Sequence, residues 1–131
     1  MIVIDASALV EVLLRTGVGN RVAERLFPAG EELHAPHLLD LEIVHALRRL
    51  CLIGEMTPHR AAEALADLSG LRLVRHPHQP YVSRIWQLRH SLTAYDAAYV
   101  VLAEALGAPL VTRDGRMASA HGHRAKIELV E

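Results

Sequence analysis

Ile2-Val3-Ile4-Asp5-Ala6-Ser7-Ala8-Leu9 opens the chain with a β-branched apolar triplet that runs straight into a carboxylate. A short continuous apolar run reads as a strand buried on both faces, as in a parallel sheet. Asp5 ends that strand, and residues 7–14 read as a helix, with Gly17 and Gly19 breaking the chain after it. A charge placed directly after a buried strand needs a reason, and function supplies one.

Outward from this start, strands and helices alternate. Residues 20–27 read as a short helix closed by Pro28 and Gly30, and residues 32–35 as a weaker strand stopped by Pro36. Residues 38–52 form a strong helix with Leu39, Ile43, Ala46, Leu47 and Leu50 on one stripe. Thr57-Pro58 starts the next helix, a capping hydroxyl followed by proline in the first turn, and it runs to about residue 68. Residues 71–74 read as a strand and 80–90 as a helix. Residues 93–106 are apolar almost all round, broken only by Asp96 and Glu104, which makes this helix central and buried; Gly107 closes it. Residues 109–112 and 127–130 complete the strands. The alternation predicts an α/β fold with a mainly parallel sheet. Residues 1–131 read as a single domain, with no repeat and no linker.

Composition supports a packed core and excludes several classes. Apolar residues make up 51% and charged residues 22%, so disorder is not expected. The single cysteine, Cys51, can form neither an internal disulfide nor a zinc knuckle. The N-terminus lacks the basic lead of a signal peptide, and the longest apolar run, residues 97–103, is far too short to span a bilayer. A cytoplasmic location with no membrane contact is the expectation. The formal net charge is −1, a poor advertisement for nucleic-acid binding. The basic residues are nonetheless 13 arginines and one lysine, Lys126, and they weight the second half of the chain. Arginine suits phosphate through its bidentate fork, although a GC-rich genome produces the same bias.

Three of the five aspartates occupy special places: Asp5 ends the first strand, Asp96 lies in the first turn of the buried helix, and Asp114 follows a later strand. In a parallel α/β sheet these positions share one edge, where ligands bind. Glu42 lies early in its helix beside the apolar stripe and can point across the same crevice. Gathered carboxylates are costly, since two unit charges about 4 Å apart repel by roughly 4 kcal/mol at an effective dielectric near 20. They require a cation or bound protons. Oxygen-only ligands select hard ions, so Mg²⁺ or Mn²⁺ is the natural partner, and such ions promote in-line displacement at a phosphodiester. Each acid also has a plainer reading. Asp96 stands three residues after Thr93, the spacing of a capping box. Asp114-Gly115 is a turn signal, and Glu42 alone could be a solvated helix residue. Ser7 either caps the first helix or bonds Asp5 or a substrate phosphate, and Thr112 either orients Asp114 or holds a water beside the ion.

Four segments in order resemble the PIN-domain nucleases, and within them the VapC toxins. They are Val3-Ile4-Asp5-Ala6-Ser7-Ala8-Leu9, Leu41-Glu42-Ile43-Val44-His45-Ala46-Leu47, Leu92-Thr93-Ala94-Tyr95-Asp96-Ala97-Ala98-Tyr99 and Leu110-Val111-Thr112-Arg113-Asp114. The resemblance covers nearly the whole chain. It implies a three-layer α/β/α sandwich, with Asp5, Glu42, Asp96 and Asp114 as catalytic, metal-binding acids. It also implies a homodimer, a VapB-like antitoxin that blocks the acidic pocket, and cleavage of structured RNA, commonly transfer or ribosomal RNA. His45 stands where many members carry Asn or Ser, and an imidazole can donate one hydrogen bond to a carboxylate. Arg113 and Arg116, flanking Asp114, are the first candidates for RNA phosphate, with Arg15, Arg48 and Arg49 behind them. Asp40 is expected in solvent, as are His76, His78, His121 and His123, whose paired spacing lacks a third ligand.

Other classes fit less well. A receiver-type phosphoacceptor domain needs a lysine near the pocket after a late strand, and Lys126 precedes the last one. A haloacid-dehalogenase-type phosphatase wants a second aspartate where Ser7 stands. A non-catalytic PIN module that only binds RNA or a partner stays open at this point.

Overall fold

A computed structural model describes residues 1–131. Five strands, β1 (Ile2–Ile4), β2 (Leu33–Pro36), β3 (Leu73–His76), β4 (Leu110–Thr112) and β5 (Ile127–Leu129), form one sheet in the order β3-β2-β1-β4-β5. Every pairing is parallel. β1 is central, and all three of its residues are fully buried.

Seven helices connect the strands: α1 (Ala6–Leu13), α2 (Gly17–Leu26), α3 (Leu38–Leu52), α4 (Pro58–Gly70), α5 (Val82–Gln87), α6 (Ala94–Leu106) and α7 (Gly115–Ser119). The chain steps outward from β1 to β2 to β3, then returns to place β4 on the other side of β1. Right-handed crossovers in opposite directions put helices on both faces of the sheet. This is the three-layer α/β/α arrangement that the resemblance implies, built on the parallel α/β sheet that the alternation predicts. The reversal opens a crevice at the C-terminal ends of β1 and β4, the position where open α/β sheets bind ligands. α6 packs against β1, β2 and β4, and its residues Ala97 to Ala103 are all buried, as its apolar circumference requires. Gly107 ends it in the left-handed region at φ 60°.

Several boundaries differ from the sequence reading. Gly17 and Gly19 do not break the chain: they lie in the first turn of α2, which Thr16 caps through the Gly19 amide at 2.9 Å. Gly19 is required by close approach, since a Cβ there would fall 2.1 Å from the Glu11 carbonyl oxygen. The 80–90 segment splits into a 3-10 turn at Gln79–Tyr81 and the short α5. α4 continues to Gly70, which delays β3 by two residues so that Leu73 pairs with Leu33 and His76 with Pro36. α7, just after Asp114, has no counterpart in the sequence reading. No helix is long and apolar enough to cross a membrane.

Candidate active site

Asp5 caps α1: its Oδ1 accepts from the Ala8 amide at 3.0 Å and from the Ser7 hydroxyl at 2.8 Å. Its Oδ2 accepts from the Thr112 hydroxyl at 2.5 Å. The capping role left open for Ser7 therefore belongs to Asp5, and Ser7 takes the alternative of bonding the carboxylate. Ser7 Oγ also accepts from the Arg113 amide at 3.1 Å, and Thr112 Oγ accepts from the Asp114 amide at 2.9 Å. Two hydroxyls thus tie the end of β1 to the loop after β4. Thr112 orients the Asp114 backbone rather than its carboxylate.

These bonds do not offset the burial of Asp5, which is only 2% exposed. Desolvation pushes its carboxyl up to about 6 against three opposing hydrogen bonds, and the charge of Glu42 adds to the rise. Glu42 on α3 is itself raised by burial and by the charge of Asp96. Asp96, in the first turn of α6, is raised by burial and then by the charge of Asp114, with Thr93 and Arg116 opposing. The four acids therefore form one electrostatically coupled series around the crevice. No basic side chain acts on Asp5 or Glu42, whereas Arg116 Nε lies 3.6 Å from Asp114 and its charge also reaches Asp96.

The plainer readings coexist with this grouping. Thr93 Oγ accepts from the Asp96 amide at 3.2 Å, the forward half of a capping box. Asp114 caps α7, accepting from the Arg116 amide at 2.9 Å. Neither cap prevents the carboxylate from facing its acidic neighbour. No three of these acids, with or without a histidine, are gathered closely enough to enclose one ion.

Tyr99, which the sequence pattern leaves in the core, reaches one of the four acids. It is 1% exposed, and its hydroxyl donates to Glu42 Oε1 at 2.5 Å, close enough to Asp5 to feel its charge. A phenol inside an otherwise apolar stretch, three residues after Asp96, was the available signal, because a buried tyrosine must place its hydroxyl on a partner. His45, the residue expected to assist Glu42, is instead exposed.

The surrounding charges also redistribute. Arg113 is held by Glu11 at 3.0 Å, whereas the Arg116 side chain is 92% exposed beside Asp114. Arg15 lies 3.5 Å from Asp67, and Arg48 and Arg49 are exposed on α3. Asp40 is not free in solvent: Arg75 grips it bidentately at 2.6 and 2.9 Å. His121 is exposed as expected, but the other three histidines have partners. His76 meets buried His34 at 2.8 Å across β2 and β3, with Glu32 at 2.6 Å on the other ring nitrogen of His34. His37 and His78 approach edge to face at 6.2 Å. His123 is bonded within its own loop, to the Ala120 carbonyl and the Ala125 amide.

Beside the acids lies an apolar hollow of about 450 Å³ whose lining includes Leu38, Ile85, Trp86, Tyr95 and Ala98. Across residues 2–122 the chain matches the family model described as the PIN domain. It is also 45% identical over 130 residues to Ribonuclease VapC12 of Mycobacterium tuberculosis, covering 99% of each chain. The chain belongs to the PIN-domain family, in its VapC branch. The fold of VapBC2 from Rickettsia felis, solved bound to a DNA fragment from their promoter, matches with a TM-score of 0.69 at 13% identity and covers 100% of both chains. VapBC-5 from M. tuberculosis, a member of the VapBC family of toxin–antitoxin systems, matches at 0.62 with 19% identity, covering 98% of this chain and 95% of that one. The four segments that carry the resemblance contain the two hydroxyls, the four coupled acids and Tyr99.

Proposed function

We propose that this PIN domain is the toxin of a type II toxin–antitoxin pair and acts as a divalent-metal-dependent endoribonuclease. One observation carries the reading: Asp5, buried and fixed by Ser7, Ala8 and Thr112, sits among acids without a basic side chain to neutralise it. Such a set is self-repelling, and an RNA phosphate would be repelled with it. The donors are all oxygen, which suits Mg²⁺, with Mn²⁺ as substitute. Asp5, Glu42, Asp96 and Asp114 would hold the metal. The four acids are coupled one to the next around the crevice rather than closed into a cage. When bound, a divalent ion acts as a Lewis acid on the scissile phosphate and makes water a stronger nucleophile.

The chain's own residues do the positioning. Ser7 and Thr112 keep the Asp5 carboxylate in one orientation and fix the loop that carries Asp114. Arg116, exposed at the rim, is placed to meet a phosphate of the RNA. Arg113 serves the loop first, through Glu11.

The match to a VapBC toxin–antitoxin family member supports a VapB-like antitoxin as partner, and the family resemblance implies structured transfer or ribosomal RNA as substrate. On this reading the protein acts in the cytoplasm as one domain over residues 1–131. A homodimer completes the reading. Leu41 and Val44 on α3, Val82 and Trp86 on α5, and Tyr95 on α6 are exposed large hydrophobics beside the apolar hollow. Apolar surface of that kind marks an association face.

The test uses protein freed of antitoxin, total cellular RNA, and Mg²⁺ or Mn²⁺. Discrete fragments are expected, and they vanish with EDTA and with Asp5→Asn or Asp96→Asn. Fragments that persist under those three conditions rule the metal mechanism out.

A further inference from the structure

We propose that Tyr99 is a positioning residue that clamps Glu42 for the divalent ion. The inference rests on the reading of Glu42 as a metal ligand. Glutamate is a poor ligand when left alone, because its rotatable side chain must be ordered before it can coordinate. Glu42 sits on α3, half-buried, with Asp5 and Asp96 both acting against its charge. Repulsion from those neighbours favours rotamers that swing it away from the crevice.

The Tyr99 hydroxyl opposes that swing. It donates to Oε1 at 2.5 Å from a ring that is 1% exposed, on the helix stretch Ala97 to Ala103 that is buried throughout. A ring held this firmly cannot follow the carboxylate outward, so the bond fixes the carboxylate rather than the phenol. The bond is charge-assisted, which places it among the stronger kind. It holds Oε1 and leaves Oε2 without a hydrogen-bond donor from the protein. Tyr99 lies one helical turn after Asp96, on the same side of α6. One helix therefore carries one acid of the site and the clamp for another, and it couples α3 to α6 at the mouth of the crevice.

Tyr99→Phe removes the hydroxyl and keeps the ring. The readout is Mn²⁺ affinity of the protein without RNA, followed by the electron paramagnetic resonance signal of free Mn²⁺. Loss of an orienting partner of this kind typically weakens metal binding by about 10–100-fold, and that fall is expected here with the circular dichroism spectrum unchanged. Glu42→Asp approaches the same contact from the other side: it keeps the charge but withdraws it from the hydroxyl, and an equal fall is expected. Combining Tyr99→Phe with Glu42→Gln is expected to add nothing to Glu42→Gln alone. Affinity for Mn²⁺ within twofold of the wild type in Tyr99→Phe overturns the clamp. Asp5→Asn separates this from the premise. If Asp5→Asn loses Mn²⁺ while Tyr99→Phe does not, only the clamp is wrong. If the wild type binds no Mn²⁺, or Asp5→Asn binds it equally well, the metal reading and the clamp fall together.

Discussion

The Thr112 hydroxyl donates to Asp5 Oδ2 at 2.5 Å and accepts from the Asp114 amide at 2.9 Å, so one fully buried side chain joins the strand ends that flank the crevice. The residues it joins are 107 positions apart in the case of Asp5 and two apart in the case of Asp114. Thr112→Val keeps the shape and deletes the hydroxyl. It leaves a buried carboxylate oxygen and the Asp114 amide short of a partner, at a cost of roughly 1–3 kcal/mol. Urea unfolding at neutral pH is expected to show that loss, together with slower RNA cleavage. An unchanged unfolding midpoint would mean that the bridge contributes nothing.

Asp5 sets stability against function. Its carboxyl is raised from 3.8 to about 6 in the folded protein, so the folded state holds the proton more tightly than the unfolded chain. The associated stability is fully present below pH 3.8 and is lost as pH rises through about 6. A rise from 3.8 to about 6 corresponds to about 3 kcal/mol at neutral pH. Asp5→Asn does not ionise. Without metal, its melting temperature is expected to exceed that of the wild type at pH 8, and the gap is expected to close at pH 4. Mn²⁺ is expected to raise the wild-type value and leave the variant unmoved. Calorimetry across the two pH values checks both effects, and a variant that melts below the wild type at pH 8 contradicts the burial argument.

The sheet and the site differ in how much of each could be read from the chain. β1 was legible because three apolar residues leading into Asp5 admit few interpretations, and α6 because its apolar face has no polar opposite side. α7 was invisible: five residues following an Asp-Gly step look like a turn until the Asp114 cap is seen. Asp5, Glu42, Asp96 and Asp114 were legible because strand ends and following helix starts share an edge. Tyr99 was not, because a tyrosine in a buried helix reads as core, and its partner Glu42 lies 57 residues away. The same holds for His76, whose partner His34 comes from the neighbouring strand, and for Asp40, whose partner Arg75 is 35 residues on. Pairings of this kind are set by how distant elements pack, the histidine pair by sheet register and the other two by α3 against its neighbours, and local patterns carry neither.

The two arginines beside Asp114 are expected to separate in behaviour. Arg116 has a nearly fully exposed side chain, and Arg113 is committed to Glu11. Arg116→Ala is expected to weaken RNA binding across sequences and to reduce the salt dependence by about one phosphate contact. Arg113→Ala is expected to leave the salt slope unchanged, because the side chain it removes is already paired within the protein. Filter binding of a catalytically inert Asp96→Asn background at several salt concentrations measures both. A reduced slope for Arg113→Ala and none for Arg116→Ala would reverse the assignment.

Trp86 tests the association face. It is 65% exposed on α5, with Arg89 stacked 4.4 Å over its ring, and it lines the hollow with Leu38 and Tyr95. Leu41 is 74% exposed on the adjoining α3. If a second copy covers this face, Trp86→Glu and Leu41→Glu each bury a carboxylate against apolar surface on both sides of a two-fold interface, and the charge enters twice. Light scattering is expected to give twice the chain mass for the wild type and the single-chain mass for both variants, with circular dichroism unchanged because neither side chain supports the core. A wild type that is already monomeric at high concentration removes the homodimer. Variants that stay dimeric move the interface elsewhere, with the exposed Phe27 beside Pro28 at the end of α2 as the next surface to substitute.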